Sequence, residues 1–122
     1  MKRVICLLLL FTVLSTLSAC DNNSVKGSVV KESTYGNAEL DIMPQKLLEQ
    51  VDIGDMVIVS IGDLKKEMPF VGELVIEDKK LQLFFDKANW SISVCMYNDN
   101  FCDKYDINIG SKVIISKNNN LQ

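Results

Sequence analysis

The segment Met56-Val57-Ile58-Val59-Ser60-Ile61 decides the fold class of this chain. It is apolar and mostly β-branched, a composition typical of a buried β-strand. Gly54-Asp55 precedes it and Gly62-Asp63 follows it, and both pairs favour turns. A short buried strand between two turns is the unit from which small barrels and sandwiches are built.

Further short strands are predicted on both sides of this segment. They cover residues 29–35, 67–71, 74–76, 81–85, 90–96 and 112–116. Pro69 predicts that the strand at 67–71 is an edge strand or contains a bulge. A short helix is predicted over residues 45–50, begun by Pro44 at its first turn, and one helical turn over residues 100–105. The expectation is a mostly β domain, either a barrel or a sandwich, with one or two short helices.

The distribution of charge argues against nucleic acid as a partner. The chain has 13 Lys and Arg, 16 Asp and Glu, and no His. From residue 20 onward it has 11 Lys, no Arg and all 16 acids. Binding to a phosphate backbone needs a basic face, which this balance does not supply.

The first 20 residues have the organisation of a secretory signal. Lys2 and Arg3 precede an apolar run over residues 4–14, and the segment ends in Leu17-Ser18-Ala19-Cys20. A membrane anchor helix is the alternative, but the run falls short of the roughly 20 apolar residues that a bilayer requires.

These last four residues resemble the lipobox of bacterial lipoproteins. The resemblance implies that Cys20 carries diacylglycerol, commonly with a further acyl chain such as palmitate, and is the first residue of the mature protein. It also implies a place in the cell envelope, facing outside the cytoplasm. Asp21 resembles a signal for retention in the inner membrane, which favours the inner or plasma membrane. The expected divisions are a signal peptide (1–19), a lipidated tether (20–28), a barrel domain (29–117) and a tail (118–122).

Two cysteines, Cys95 and Cys102, remain in the mature domain. Disulfides persist outside the cytoplasm, so a bond between them is the favoured prediction. Two free thiols are the alternative. Two cysteines without a histidine are a poor set of zinc ligands, so neither a metal nor a cofactor is predicted.

Three stretches occur in an order that resembles a known family. The first is Tyr35-Gly36-Asn37 with the following Leu40-Asp41-Ile42, the second runs from Gly54 to Gly62 and on to Met68-Pro69-Phe70, and the third is Ser91-Ile92-Ser93-Val94 with Ile109-Gly110-Ser111. Together they resemble the C-terminal β-barrel domain of the S-adenosylmethionine hydroxide adenosyltransferases, relatives of the fluorinating and chlorinating enzymes. The resemblance covers residues 30–116 and implies a small β-barrel.

In that family the aromatic residue and the Asn of the first stretch approach the nucleoside. The resemblance therefore implies that Tyr35 stacks on a purine and that Asn37 hydrogen-bonds a ribose hydroxyl. The alternatives are an aromatic at the barrel rim and a turn-forming Asn. Most other ligand positions of the family differ here. A Thr-Asn-Ile stretch survives only in part as Leu40-Asp41-Ile42, and a Tyr-Ser-Asp stretch is cut down to Val71-Gly72. An Asn-Ser pair is Phe85-Asp86 here, and an Asn is Cys95.

Two further residues have competing interpretations. Asp41 is predicted at the entry to the first helix, with a lone carboxylate in a cleft as the alternative. Trp90, the only tryptophan, is predicted in the core or at the rim, with an exposed stacking platform as the alternative.

The sequence does not predict catalysis by this chain alone. It has no His to act as a base near neutral pH, and no P-loop, zinc motif or nucleophile elbow. The family's catalytic groups lie in an N-terminal domain, where this chain has a signal segment and a tether.

The expected role is therefore binding or interaction by a lipid-anchored barrel. The expected partners are the membrane, through the lipid, and a second copy or another envelope protein. One alternative is a protein that binds a nucleoside or S-adenosylmethionine, or forms one part of a split adenosyltransferase. Another is a structural envelope lipoprotein.

Overall fold

A computed structural model of the protein describes residues 24–119. The predicted signal peptide, the lipidation site Cys20 and the end of the predicted tail lie outside these residues. Seven strands form a closed barrel with two short helices, which confirms the predicted fold class and decides for a barrel over a sandwich. The strands are β1 (Ser24–Glu32), β2 (Ala38–Leu40), β3 (Met56–Ile61), β4 (Leu64–Val71), β5 (Leu81–Asp86), β6 (Ser91–Met96) and β7 (Lys112–Lys117).

The strand order around the barrel is β1-β2-β6-β5-β4-β3-β7. All neighbours are antiparallel except β4 and β5, where Phe70 pairs with Leu83 in parallel. Strand β1 closes the barrel because it has a partner on each side. Its first half pairs with β7, from Ser24 opposite Ser116, and its second half pairs with β2.

Alternation along the strands fills the barrel with apolar side chains. In β3 the buried residues are Val57, Val59 and Ile61, so alternate side chains point inward. In β6, Ile92 and Val94 take the same inward positions. The alternate residues of this strand, Ser91, Ser93 and Cys95, therefore face the outside of the barrel.

The two helices lie where the sequence predicts them. Helix α1 (Pro44–Leu48) has Pro at its first position and buries Leu47. Helix α2 (Phe101–Tyr105) is capped by Asn100, whose side-chain oxygen accepts a hydrogen bond from the Asp103 N–H at 2.9 Å. Neither helix within residues 24–119 is long and apolar enough to cross a bilayer.

Three local predictions are wrong. Residues 24–28 belong to β1 and not to a tether, because pairing with β7 uses backbone groups and needs few apolar side chains. Residues 74–76 form a loop, part of the connection between the parallel strands β4 and β5. Strand β4 has partners on both sides and is not an edge. Pro69 is tolerated because pairing with β5 involves Phe70 and Val71 only.

The two ends of the barrel differ in what they carry. The end at which β1 begins is called the entry end. An antiparallel neighbour runs in the opposite direction and a parallel neighbour in the same direction. By this rule β3 and β6 also begin at the entry end, and β4, β5 and β7 finish there. Helix α1 and the turn at residues 87–90 lie at the entry end. The turns at 33–37 and 106–111 lie at the opposite, or far, end.

Candidate functional site

The turn at residues 33–37 holds the two residues that the sequence identifies as candidate ligand contacts. The Gly36 N–H donates to the Ser33 carbonyl at 2.9 Å, and the Asn37 N–H donates to Ser33 Oγ at 3.1 Å. Gly36 has φ +81°, and a Cβ there would collide with the Asn100 side chain. Only glycine fits this position. The turn therefore holds its backbone firmly while the Tyr35 side chain remains 81% exposed.

A cleft runs from this turn across the outer face of β2, β6 and β5. It consists of two adjoining concavities of about 410 and 520 Å³. Tyr35, Asn37, Leu74 and Cys95 line both parts. The structure thus brings Tyr35 and Asn37 together in one cleft, and it adds Cys95 to them. We call this feature the Tyr35 cleft.

The loop over residues 72–80 forms part of the wall of the cleft, because it carries Leu74. Gln82, on β5, holds this loop in place. Its side chain is fully buried; Oε1 accepts from the Val75 N–H at 2.8 Å, and Nε2 donates to the Val75 carbonyl at 3.2 Å. Nε2 also lies 3.3 Å from the Lys80 carbonyl. Residues 74–76 form no strand pairing, and the hydrogen bonds from the Gln82 side chain hold this part of the loop instead.

The polar groups of the cleft differ in their freedom to bind a ligand. The Asp86 carboxylate is engaged by its own turn, since it accepts from the Ala88 N–H at 3.0 Å and from Asn89 Nδ2 at 2.7 Å. The side-chain amide of Asn37 has no hydrogen-bond partner among the described residues. Lys31 and Glu39 contribute one charge of each sign to the lining.

This arrangement is suited to holding a planar, neutral or weakly charged molecule. An exposed aromatic ring supplies a stacking face, and an amide and serine hydroxyls supply hydrogen bonds. Within residues 24–119, no three Cys, Asp or Glu side chains are placed to hold a metal ion.

Cys95 and Cys102 are both free and buried in the structure, so the favoured disulfide is not formed. The alternation of β6 explains this. Cys95 lines the cleft with its Sγ 3.5 Å from Ser93 Oγ, whereas Cys102 packs in the core. Burial raises the pKa of both thiols, and for Cys102, which is also near the Glu32 carboxylate, it reaches about 12. Both are therefore neutral thiols near pH 7.

Two other sequence interpretations are resolved by the structure. Asp41 is not the cap of α1, which is Met43; its carboxylate accepts from the Ser28 N–H at 2.7 Å and joins β1 to the segment after β2. Trp90 lies at the rim of the entry end, 53% exposed. Its ring meets the edge of Phe85 at 5.2 Å, and its Nε1 donates to Gln45 Oε1 at 3.1 Å.

Gln82 and Leu74 are parts of the site that sequence reasoning missed. A signal for Gln82 was present, because it is the only polar residue in the predicted strand 81–85. A buried polar group must find hydrogen-bond partners, and here the partners are loop backbone groups. Leu74 carries no such signal, since its position follows from a long-range contact.

Comparison with known proteins places the fold. No protein-family model and no curated protein matches the chain. An uncharacterized conserved protein from Thermotoga maritima is similar in structure, with a TM-score of 0.67 and 20% identity over 78% of this chain and 36% of that protein. A conserved hypothetical protein from Thermus thermophilus has a TM-score of 0.54 and 14% identity over 76% of this chain and 34% of its own. The chain thus spans about a third of each of these proteins and shares its barrel fold with uncharacterized conserved proteins.

Proposed function

We propose that this protein is a lipid-anchored, extracytoplasmic barrel whose role is binding through the Tyr35 cleft, without a catalytic step of its own. The observation that carries the binding role is the convergence of Tyr35, Asn37 and Cys95 on one cleft. The anchor is supported by the order of charged segment, apolar run and lipobox that ends at Cys20.

The charge and chemistry of the cleft support a small molecule as the ligand. The Tyr35 ring is 81% exposed, and a rigid turn presents it to the cleft. The Asn37 amide offers one acceptor and two donors beside it. A planar heterocycle with a polar substituent matches both groups.

A nucleoside is the second, more specific candidate. It rests on the resemblance to the adenosyltransferase C-terminal domain. Of the positions that correspond to ligand contacts in that resemblance, Tyr35, Asn37, Asp86 and Cys95 line the Tyr35 cleft, and Tyr35 and Asn37 keep the residue types of the family. Adenosine or S-adenosylmethionine would then be bound by this chain alone, or by this chain completing a site on a partner.

Ligand-induced stabilisation of the mature protein tests both candidates. Thermal unfolding in detergent micelles would be followed with adenosine, S-adenosylmethionine and methionine. A ligand at ten times its Kd stabilises the native state by about 1.4 kcal/mol, which shifts the melting temperature measurably. We expect a saturable shift with adenosine and with S-adenosylmethionine, and none with methionine alone.

Two substitutions of Tyr35 distinguish the contribution of ring stacking to ligand binding from that of the hydroxyl group. Tyr35→Phe retains the ring and should retain most of the shift, whereas Tyr35→Ala should abolish it. Absence of a shift with all three ligands would rule out the nucleoside site. Mass spectrometry of the same preparation reports separately whether Cys20 carries lipid.

A further inference from the structure

The entry end of the barrel carries an apolar surface that nothing in the described part of the chain covers. Met43, Ile53 and Trp90 lie there, exposed by 48%, 46% and 53%. Met43 precedes α1, Ile53 precedes β3, and Trp90 ends the turn before β6. Three large apolar side chains from three separate segments therefore face solvent at the same end of the barrel.

Specific contacts hold Trp90 and Ile53 in place on this surface. Trp90 is held by the edge of Phe85 and by its hydrogen bond to Gln45 of α1. Ile53 lies over Gly72, where an added Cβ would stand 3.3 Å from Ile53 Cδ1. A concavity of about 510 Å³ extends from Ile53 to Lys87, in the turn that ends at Trp90. This concavity connects Ile53 with the turn that carries Trp90.

The path of the chain identifies what covers this surface. Strand β1 begins at Ser24, at the entry end, only four residues after Cys20. Four extended residues span at most about 14 Å. A lipid on Cys20 would therefore hold Ser24, and with it the entry end, within that distance of the bilayer, and this favours the entry end over the far end as the surface that faces the lipid.

The residue types at the entry end fit a lipid interface better than a charged partner. Indole rings prefer the headgroup region of bilayers, where one side is apolar and the other wet. The exposed acids Glu49, Asp52 and Glu73 outnumber the exposed lysines Lys46 and Lys87, and Lys117 forms an ion pair with Asp55 at 3.5 Å. Attraction to anionic lipids is thus not the driving force.

We propose that the barrel stands end-on on the membrane, with Met43, Ile53 and Trp90 in contact with the lipid interface. This orientation rests on the proposed lipid anchor at Cys20. It directs the turn at residues 33–37, and with it the end of the Tyr35 cleft that Tyr35 and Asn37 line, away from the bilayer. The other end of the cleft, at Asp86 and Asn89, lies nearest the bilayer.

Trp90 is the only tryptophan, so its fluorescence tests the orientation directly. The mature lipidated protein would be reconstituted into phosphatidylcholine vesicles with and without lipids brominated near the headgroup. We expect about a twofold loss of Trp90 emission with brominated lipid, because an interfacial indole lies within contact range of the bromine atoms. The loss should persist in high salt, since apolar contact carries it.

The matched control is the double variant Trp90→Phe with Ile109→Trp. Ile109 is 67% exposed in the turn at the far end, so its indole should retain full emission with brominated lipid. Equal quenching of both probes, or of neither, in protein that mass spectrometry shows to be lipidated would overturn the orientation and leave the anchor intact. Absence of lipid on Cys20 would overturn the anchor and the orientation together.

Discussion

Replacement of Gln82 by Leu should release the wall of the Tyr35 cleft. Gln82 is fully buried and binds the Val75 N–H, the Val75 carbonyl and the Lys80 carbonyl. Leucine fills similar volume but satisfies none of these groups. A buried backbone group left without a partner costs about 1–3 kcal/mol. The loop can limit this cost by moving into water, so we expect the free energy of unfolding to fall by about 2 kcal/mol.

Urea unfolding measures the total loss, and amide hydrogen exchange locates it. Exchange at residues 74–76 should accelerate strongly in Gln82→Leu, while exchange in β3 should follow the global stability. The same change at Gln45 is the matched control, because its one side-chain bond, from Trp90, is solvent-exposed. We expect Gln45→Leu to cost less than about 0.5 kcal/mol. Equal losses in the two variants, or unchanged exchange at Val75, would refute the role of Gln82 as the support of this loop.

Three further predictions concern other supports of the fold. In a urea titration, Gly36→Ala should lower the free energy of unfolding by about 2 kcal/mol or more, because the added Cβ collides with Asn100 and the backbone φ is left-handed. Gly54→Ala is the control: its φ is +103° but the space around it is open, so it should lower the free energy of unfolding by only about 1 kcal/mol. Folding raises the pKa of Cys102 from 9.0 to about 12, so the unfolded state loses this proton first as pH rises. The free energy of unfolding should therefore fall between pH 9 and pH 12, and Cys102→Ala should make this fall less steep. Asp86→Ala should lower the melting temperature by several degrees, because the turn loses the acceptor for two backbone N–H groups; an unchanged melting temperature would contradict this.

Local patterns were sufficient to predict most of the barrel. The alternation in β3 and β6 and the turns around them indicated the strands, since inward and outward positions leave a period of two in the sequence. Local composition does not indicate the start of β1, because residues 24–28 join the barrel through backbone pairing with β7, which leaves little trace in the side chains. The composition of Leu74-Val75-Ile76 predicts a strand, but the fold places these residues in the loop before β5.

The candidate site was predictable only in part, for the same reason. Tyr35 and Asn37 belong to one turn, so a local motif identified them together. The partner residues Gln82 and Leu74 reach the cleft through the parallel pairing of β4 and β5, which no local pattern encodes. The separation of Cys95 from Cys102 is also not visible in the sequence, because the loop between them is long enough for a disulfide. Only the fold places Cys95 in the cleft and Cys102 in the core.

The double pairing of β1 has a consequence for the order in which the protein folds. Ser24, at the start of the described chain, pairs with Ser116, near its end. As the chain emerges from the ribosome or from a translocation channel, β1 comes before its partner β7, so the barrel stays open until β7 has emerged. Until then β1 and β3 each present an unpaired edge. Because the last contacts to form span most of the sequence, closure of the barrel should be the slow kinetic step, and a nascent chain truncated before Lys112 should retain fast-exchanging amides in β1.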